Sequence, residues 1–249
     1  MSKYTVSIVQ ALKEWKTIDI KRLMCSISSQ SLAHEIQLIV VFSAEPPEAI
    51  INSCNDGIAD IKFISTPPEG IYEAFSIGVE HAEGDFIIFC GGDDFFMPGL
   101  SSILHSIREN LNSYPHVIAA TVCFGDKRLL KPSRSKFAMT MKNWCQQGIL
   151  YRRDIFTRYY FDPMYKIQAD HKFNIEIIGS RDLDIIFCPE IVAYFSRSGV
   201  SQTRPDLQFW KDMPAIVSQN FGFIYGIVCH LRRWFGILIY GRPENRFKS

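Results

Sequence analysis

The chain has 249 residues, 47% hydrophobic and 21% charged, with a formal net charge of +1. That balance supports a full hydrophobic core and excludes a disordered chain, and without a block of lysine and arginine it excludes a general pull toward nucleic acid. Seven cysteines, at 25, 54, 90, 123, 145, 188 and 229, are scattered with no C-x-x-C pair, which speaks against a disulfide framework or zinc cluster and suits a reducing cytoplasm. Met1 to Gln10 lacks a charged start followed by a long apolar core, so a cytoplasmic location without a secretion signal is expected.

In chain order, Tyr4 to Val9 alternates as a strand, and Ile20, Leu23, Met24 and Ile27 then recur at helical spacing after Asp19, a candidate cap. Leu38 to Phe42 and Ile61 to Ile64 read as further strands, and Pro67 to Gly70 as a loop. Ile71 to His81 reads as a helix with Ala74, Phe75, Gly78 and Val79 on one face. Phe86 to Cys90 follows as a strand, Leu100 to Leu111 as an amphipathic helix, and Val117 to Cys123 as another strand. The repeated strand-helix order predicts an α/β fold with a mostly parallel, doubly wound sheet. Beyond it, Gly125 to Ser135 is a basic, proline-containing loop that either covers a site or connects subdomains. Gly148 to Tyr151 reads as a strand, Ala169 to Ile178 as a helix, Asp184 to Phe187 and Ile191 to Phe195 as two strands around Pro189, and Gly199 to Ser201 as a tight loop.

The most informative stretch runs from Gly84 to Pro98, where an apolar strand stops at Gly91-Gly92-Asp93-Asp94. A buried parallel strand would deliver those acids to the carboxyl edge of the sheet, where open α/β sheets bind ligands. Adjacent carboxylates repel each other and lose hydration, so a cation neutralising Asp93 and Asp94 beside a phosphate is the first reading. Turn chemistry capping the next helix is the other. No P-loop, dinucleotide-binding glycine motif, nucleophile elbow or zinc-protease helix is present.

Gly70-Ile71-Tyr72-Glu73-Ala74, Gly78, Gly84-Asp85, the strand end from Phe89 to Asp94 with Pro98, Gln147-Gly148, Arg152-Arg153, Phe161-Asp162 and Tyr165 to Asp170 together resemble the family 2 glycosyltransferases of GT-A fold that build bacterial surface polysaccharides. The resemblance runs from about Tyr4 to Ser201. It implies a GT-A-like domain over 1–200, with a nucleotide-sugar-binding half (1–124) and an acceptor-binding half (125–200), followed by a helical tail over 201–249. It further implies a nucleotide diphosphate sugar donor, Mg²⁺ or Mn²⁺ held by Asp93 and Asp94, and a glycan acceptor carried on polyprenyl diphosphate. Asp170 matches the carboxylate that removes the acceptor proton with inversion at the anomeric carbon, and a place at the start of a helix predicts that its ionised form is favoured. Gly70, Tyr72, Glu73, Arg152 and Arg153 join Asp93 and Asp94 as donor-binding candidates. Four positions depart from the family pattern: Glu45 is a candidate substitute for the acid that usually follows the second strand, Glu69 replaces a basic residue, Glu73 replaces an aspartate, and Gly91 replaces an Asn or Asp. Asp170 also suits an N-cap, Tyr72 the core of a helix and His171 a core or surface histidine.

The Gly91 to Asp94 string also looks like the signature of diguanylate cyclases, but Met97-Pro98-Gly99 opens a helix where a hairpin strand should follow. A non-catalytic sugar-nucleotide-binding or scaffolding subunit is the alternative from another class. The tail, Phe221 to Tyr240, is apolar and aromatic, yet His230, Arg232 and Arg233 interrupt it, which suits a helix lying in the membrane interface more than one spanning it. Arg242, Arg246 and Lys248 against Glu244 favour anionic lipid, hence peripheral contact of 221–249 with the inner face of the cytoplasmic membrane. Packing of that helix on the domain or on a second subunit is the competing reading.

Overall fold

Apolar runs that alternate sides must be covered on both faces, and the sheet at the centre of this chain is built that way. The computed structural model describes residues 4–14, 16–46, 58, 60–66, 70–109, 115–125, 128–196 and 205–240. Its strands are β1 (Tyr4–Leu12), β2 (Ile36–Phe42), β3 (Asp60–Ser65), β4 (Gly84–Cys90), β5 (Phe95–Phe96), β6 (Val117–Phe124), β7 (Arg128–Leu130), β8 (Ile149–Arg152) and β9 (Ile185–Phe195). They form one sheet in the order β3-β2-β1-β4-β8-β6-β9-β5, with β7 paired to β6.

The helices are α1 (Thr17–Ser28), α2 (Ile71–Glu80), α3 (Gly99–Glu109), α4 (Lys136–Met139), α5 (Ala169–Gly179), α6 (Leu207–Phe221) and α7 (Phe223–Tyr240). On one face Val6, Ile8, Phe86 and Ile88 share a core with Leu23 and Ile27 of α1 and Leu100 and Leu104 of α3. On the other, Val9, Ile87 and Phe89 share one with Phe75 of α2, Phe173 of α5 and Phe209 of α6. Side chains 86 to 89 thus enter the two cores alternately, as strand geometry requires.

The expected parallel half is present as β3-β2-β1-β4, and the remainder of the sheet is mixed. β8 runs antiparallel to both of its neighbours, β4 and β6. The two strands expected around Pro189 are one, β9, whose pairing with β6 passes from Ala119↔Phe187 to Thr121↔Ile191. Two steps on β6 therefore face four on β9, and Pro189, which cannot donate to a ladder, sits in that bulge. Asp19 contributes to the first turn of α1 without capping it; the N-cap is Lys16.

The basic loop expected over 125–135 contains β7, and α4 follows it, capped by the Ser135 hydroxyl, which accepts the Ala138 N–H. Trp144 Nε1 donates to the Ser133 carbonyl at 3.0 Å, pinning the segment between them. The tail is a hairpin of α6 and α7 broken at Gly222, whose φ of 104° suits glycine. Among the described residues no helix is long and apolar enough to cross a membrane. Pro67 to Glu69, Gly199 to Ser201 and the charged residues beyond 240 lie outside the described residues.

α3 starts against the bulge: a Cβ on Gly99 would lie 2.4 Å from the Ile191 carbonyl oxygen. Gly99→Ala should therefore cost about 1–3 kcal/mol, read as a lower urea midpoint at unchanged m value. A midpoint equal to that of the unaltered chain would show that this approach is not close-packed.

Candidate active site

β1, β2 and β4 run parallel, with Gln10 paired to both Val40 and Cys90, so their carboxyl ends share one edge of the sheet. The turn after Cys90 puts Asp93 and Asp94 there. Gln10 Nε2 donates to the Gly91 carbonyl at 3.3 Å, and Gly92 approaches Leu12 so closely that a Cβ would meet its Cδ2 at 3.0 Å.

Asp94 is 2% exposed. Its Oδ2 accepts the Gly91 N–H at 2.7 Å and Gln147 Nε2 at 2.8 Å, while Oδ1 accepts the Ser196 N–H at 3.5 Å. Burial pushes its pKa up to about 6, with Asp93 adding to the rise and the hydrogen bonds from Gly91 and Gln147 opposing it. A Cβ at Gly91 would lie 3.2 Å from Asp94 Oδ2 and 3.9 Å from Asp93 Oδ1, so both acids border the space that a larger residue 91 would fill. Among the described residues no group of three or more His, Cys, Asp or Glu could hold a metal. Neighbouring carboxylates are the hard oxygen donors that a divalent cation such as Mg²⁺ takes.

Asp170 lies in the first turn of α5, after the N-cap Gln168. Its Oδ1 accepts the Tyr72 hydroxyl and the His171 N–H, each at 2.8 Å, and its Oδ2 accepts Asn143 Nδ2 at 2.8 Å. The Tyr72 hydroxyl also lies 2.7 Å from the Ile167 carbonyl oxygen. The ionised form is not favoured as the helix start predicts: burial raises the pKa to about 6 against the pull of these donors. A carboxyl poised there is a better base near neutral pH than an unperturbed aspartate.

The amide of Asn143 is oriented by a buried chain. Asn174 Nδ2 donates to Asn143 Oδ1 at 2.9 Å, and the Tyr151 hydroxyl donates to Asn174 Oδ1 at 2.7 Å. Residues 143 to 147 therefore hold both acidic sites, Asn143 gripping Asp170 and Gln147 gripping Asp94. Between them the Cys145 thiol donates to Gln147 Oε1 at 3.1 Å, and burial together with the fields of Asp94 and Asp170 keeps it protonated. Sequence reasoning gave neither Asn143 nor Gln147 a role; the available signal was a run of amides in an acid-free stretch before a strand.

The segment reaches this edge because β8 is antiparallel to β4, so what precedes β8 arrives where β4 ends. The same topology removes Arg152, which ends β8, and Arg153, which follows it. Arg152 pairs with Phe86, about 13 Å up the strand from Cys90, and forms an ion pair with Asp154 at 2.7 Å. Arg153 donates to the Ala82 carbonyl at 3.3 Å. The structure does not bring these two arginines to the acids.

Gly70 is the N-cap of α2 with a φ of 129°, Tyr72 turns back to Asp170, and Glu73 is exposed in the first turn. Glu45 is exposed just past the end of β2. His171 is a core residue: its Nε2 lies 2.8 Å from the Met139 carbonyl, its ring packs on Phe209, and burial lowers its pKa to about 4. Asp206, which carried no expectation, caps α6 through the Phe209 N–H and accepts the N–H groups of Ile167 and Gln168 at 2.9 and 3.2 Å, fixing the backbone just before α5.

The glycosyl transferase family 2 model matches residues 8–174. The chain is 31% identical over 173 residues to a PGL/p-HBAD biosynthesis glycosyltransferase of Mycobacterium bovis and to one of Mycobacterium tuberculosis, a match that covers 67% of this chain and 65% of each relative. Its fold is similar to that of S. aureus TarS 1-349 in complex with UDP-GlcNAc, with a TM-score of 0.71 and 15% identity over 97% of this chain and 77% of that one. It is also similar to the mannosyltransferase PcManGT of Pyrobaculum calidifontis in complex with GDP-Man and Mn²⁺, with a TM-score of 0.62 and 12% identity over 96% and 76%. With the family model spanning well over half of the sequence, including both acidic sites and the segment that joins them, the chain belongs to glycosyl transferase family 2.

Proposed function

We propose that the chain is an inverting, metal-dependent glycosyltransferase that moves a sugar from a nucleotide diphosphate sugar to a glycan acceptor on polyprenyl diphosphate, in the synthesis of a bacterial surface polysaccharide. The observation that carries this reading is the single segment, 143–147, holding both Asp94 at the sheet edge and the separate acid Asp170, each of raised pKa. The nucleotide sugars named with the TarS and PcManGT structures support the donor class.

In this reading Asp93 and Asp94 hold Mg²⁺ or Mn²⁺, which when bound stabilises the negative charge of the departing diphosphate. Gly70 and Glu73, at the start of α2, line the donor side. Tyr72 and Asn143 fix the Asp170 carboxylate. Oδ1 already accepts two hydrogen bonds and Oδ2 one, so Oδ2 is the oxygen that takes the proton from the acceptor hydroxyl. That hydroxyl attacks the anomeric carbon on the face opposite the leaving group, which inverts its configuration. The exposed Phe223, Ile224, Trp234 and Phe235 of α7 support peripheral membrane contact through 221–249 on the cytoplasmic side.

A donor that binds the folded chain should raise its melting temperature by mass action, so a screen of UDP-, GDP-, CMP- and dTDP-sugars should give a shift that grows with Mn²⁺. The absence of any shift, with the ion present, would remove the main support for a transferase.

Asp170→Asn should keep that shift and lose about 10²- to 10⁴-fold in transfer rate. In the unaltered enzyme kcat should rise with pH through about 6 as Asp170 ionises. An equally active variant, or one that keeps this limb, would exclude Asp170 as the base.

Asp94 supplies a stability test. Its folded pKa of about 6 exceeds the unfolded 3.8, so its stabilising contribution is full below about pH 4 and is lost as pH rises through about 6. Relative to the unaltered chain without divalent ion, Asp94→Asn should gain on the order of 3 kcal/mol between pH 4 and pH 7, since Asn can still accept from Gly91 and Gln147. Mn²⁺ at pH 7 should stabilise the unaltered chain and not the variant. A difference that is constant with pH would show that Asp94 titrates normally.

A further inference from the structure

We propose that residues 128–142 and helix α7 form one surface that seats the protein on an anionic lipid bilayer, directly beside the Asp170 site. This extends the reading of a lipid-linked acceptor to a second segment. From 127 to 153 the chain has no acidic residue, and residues 128–142 carry Arg128, Lys131, Arg134, Lys136 and Lys142. Within that basic stretch Phe137 of α4 is 52% exposed and Met141, in the turn just after α4, 45%, where large apolar groups gain nothing from water.

α7 has the same character. Ile224, Ile227, Leu231 and Trp234 are exposed at spacings of three and four, one helical face, and the described part of the helix carries His230, Arg232 and Arg233 without any acid. The two segments are tied together. Arg232 Nη1 donates to the Thr140 carbonyl at 2.6 Å, and Lys136 Nζ lies 5.4 Å from the centre of the Phe221 ring at the α6–α7 corner.

Charge selects the occupant. A second copy meeting this face about a two-fold axis would set basic residues against basic residues, whereas an anionic bilayer accepts the apolar side chains and neutralises the cations around them. The surface also leads into the site: Lys142 is followed at once by Asn143, whose amide holds Asp170. An acceptor diphosphate at the lipid surface would then lie among these cations, with its glycan presented to the base.

The test is flotation of the full chain with vesicles of phosphatidylcholine alone or with 30% phosphatidylglycerol (about one anionic lipid in three). Binding should require the anionic lipid and weaken in about 0.5 M NaCl. Phe137→Ser/Met141→Ser should lower the partition coefficient about ten-fold at an unchanged melting temperature. Lys131→Glu/Lys142→Glu, which leaves the apolar residues in place, should lower it at least about ten-fold as well. Anionic vesicles that bind the full chain and both variants equally would overturn the second segment and leave contact through 221–249 alone. No vesicle binding, with the donor-dependent thermal shift intact, would overturn the whole surface and leave the transferase reading standing. A lipid-free dimer dissolved by Phe137→Ser/Met141→Ser would assign the face to a second copy and also overturn the proposal.

Discussion

Two carboxyl groups withdrawn from water, each gripped by a side-chain amide from the same five residues, form the constraint on which the site depends. A buried acid is costly to ionise, and hydrogen-bond donors limit that cost: Tyr72, the His171 N–H and Asn143 at Asp170, and the Gly91 N–H with Gln147 at Asp94. Asn143 and Gln147, four residues apart on one short segment that ends in a 3-10 turn, thus link the two acids. The segment is itself held, by Trp144 against Ser133 on one side and by the Tyr151–Asn174–Asn143 chain on the other.

The sheet makes this geometry available through strand direction. Parallel strands bring the ends of β1, β2 and β4 to one edge, which delivers the acid pair. Inserting β8 in the opposite sense brings its leading residues to that edge and sends its trailing arginines to the far one. A β8 of the same length running parallel to β4 would exchange the two, setting arginines where the amides stand. Neutral amides can hold an acid without cancelling its charge, which leaves the carboxylates free to meet a cation or a proton.

The parallel half was legible because runs such as Leu38 to Phe42 and Phe86 to Cys90 are apolar on both faces, a pattern set by local period. Asp93, Asp94 and Asp170 were legible as acids at the ends of such elements. Strand direction was not, since a period of two looks the same read either way, so the antiparallel course of β8 shows only in the structure. Nor was the ionisation of Asp170 legible: a helix start favours the charged form, but the Tyr72 and Asn143 neighbours that enclose the group come from distant stretches of chain. Pro189 suggested a break between strands, whereas a bulge absorbs it without ending the pairing.

Asp206 adds polar bonds between parts of the chain that also pack together through Phe209. One of its oxygens starts α6 and the other holds the peptide groups of Ile167 and Gln168, two residues short of Asp170. The C-terminal hairpin and the start of α5 are thus tied through one buried carboxylate, so a load that tilts the hairpin is passed to the turn that carries Asp170.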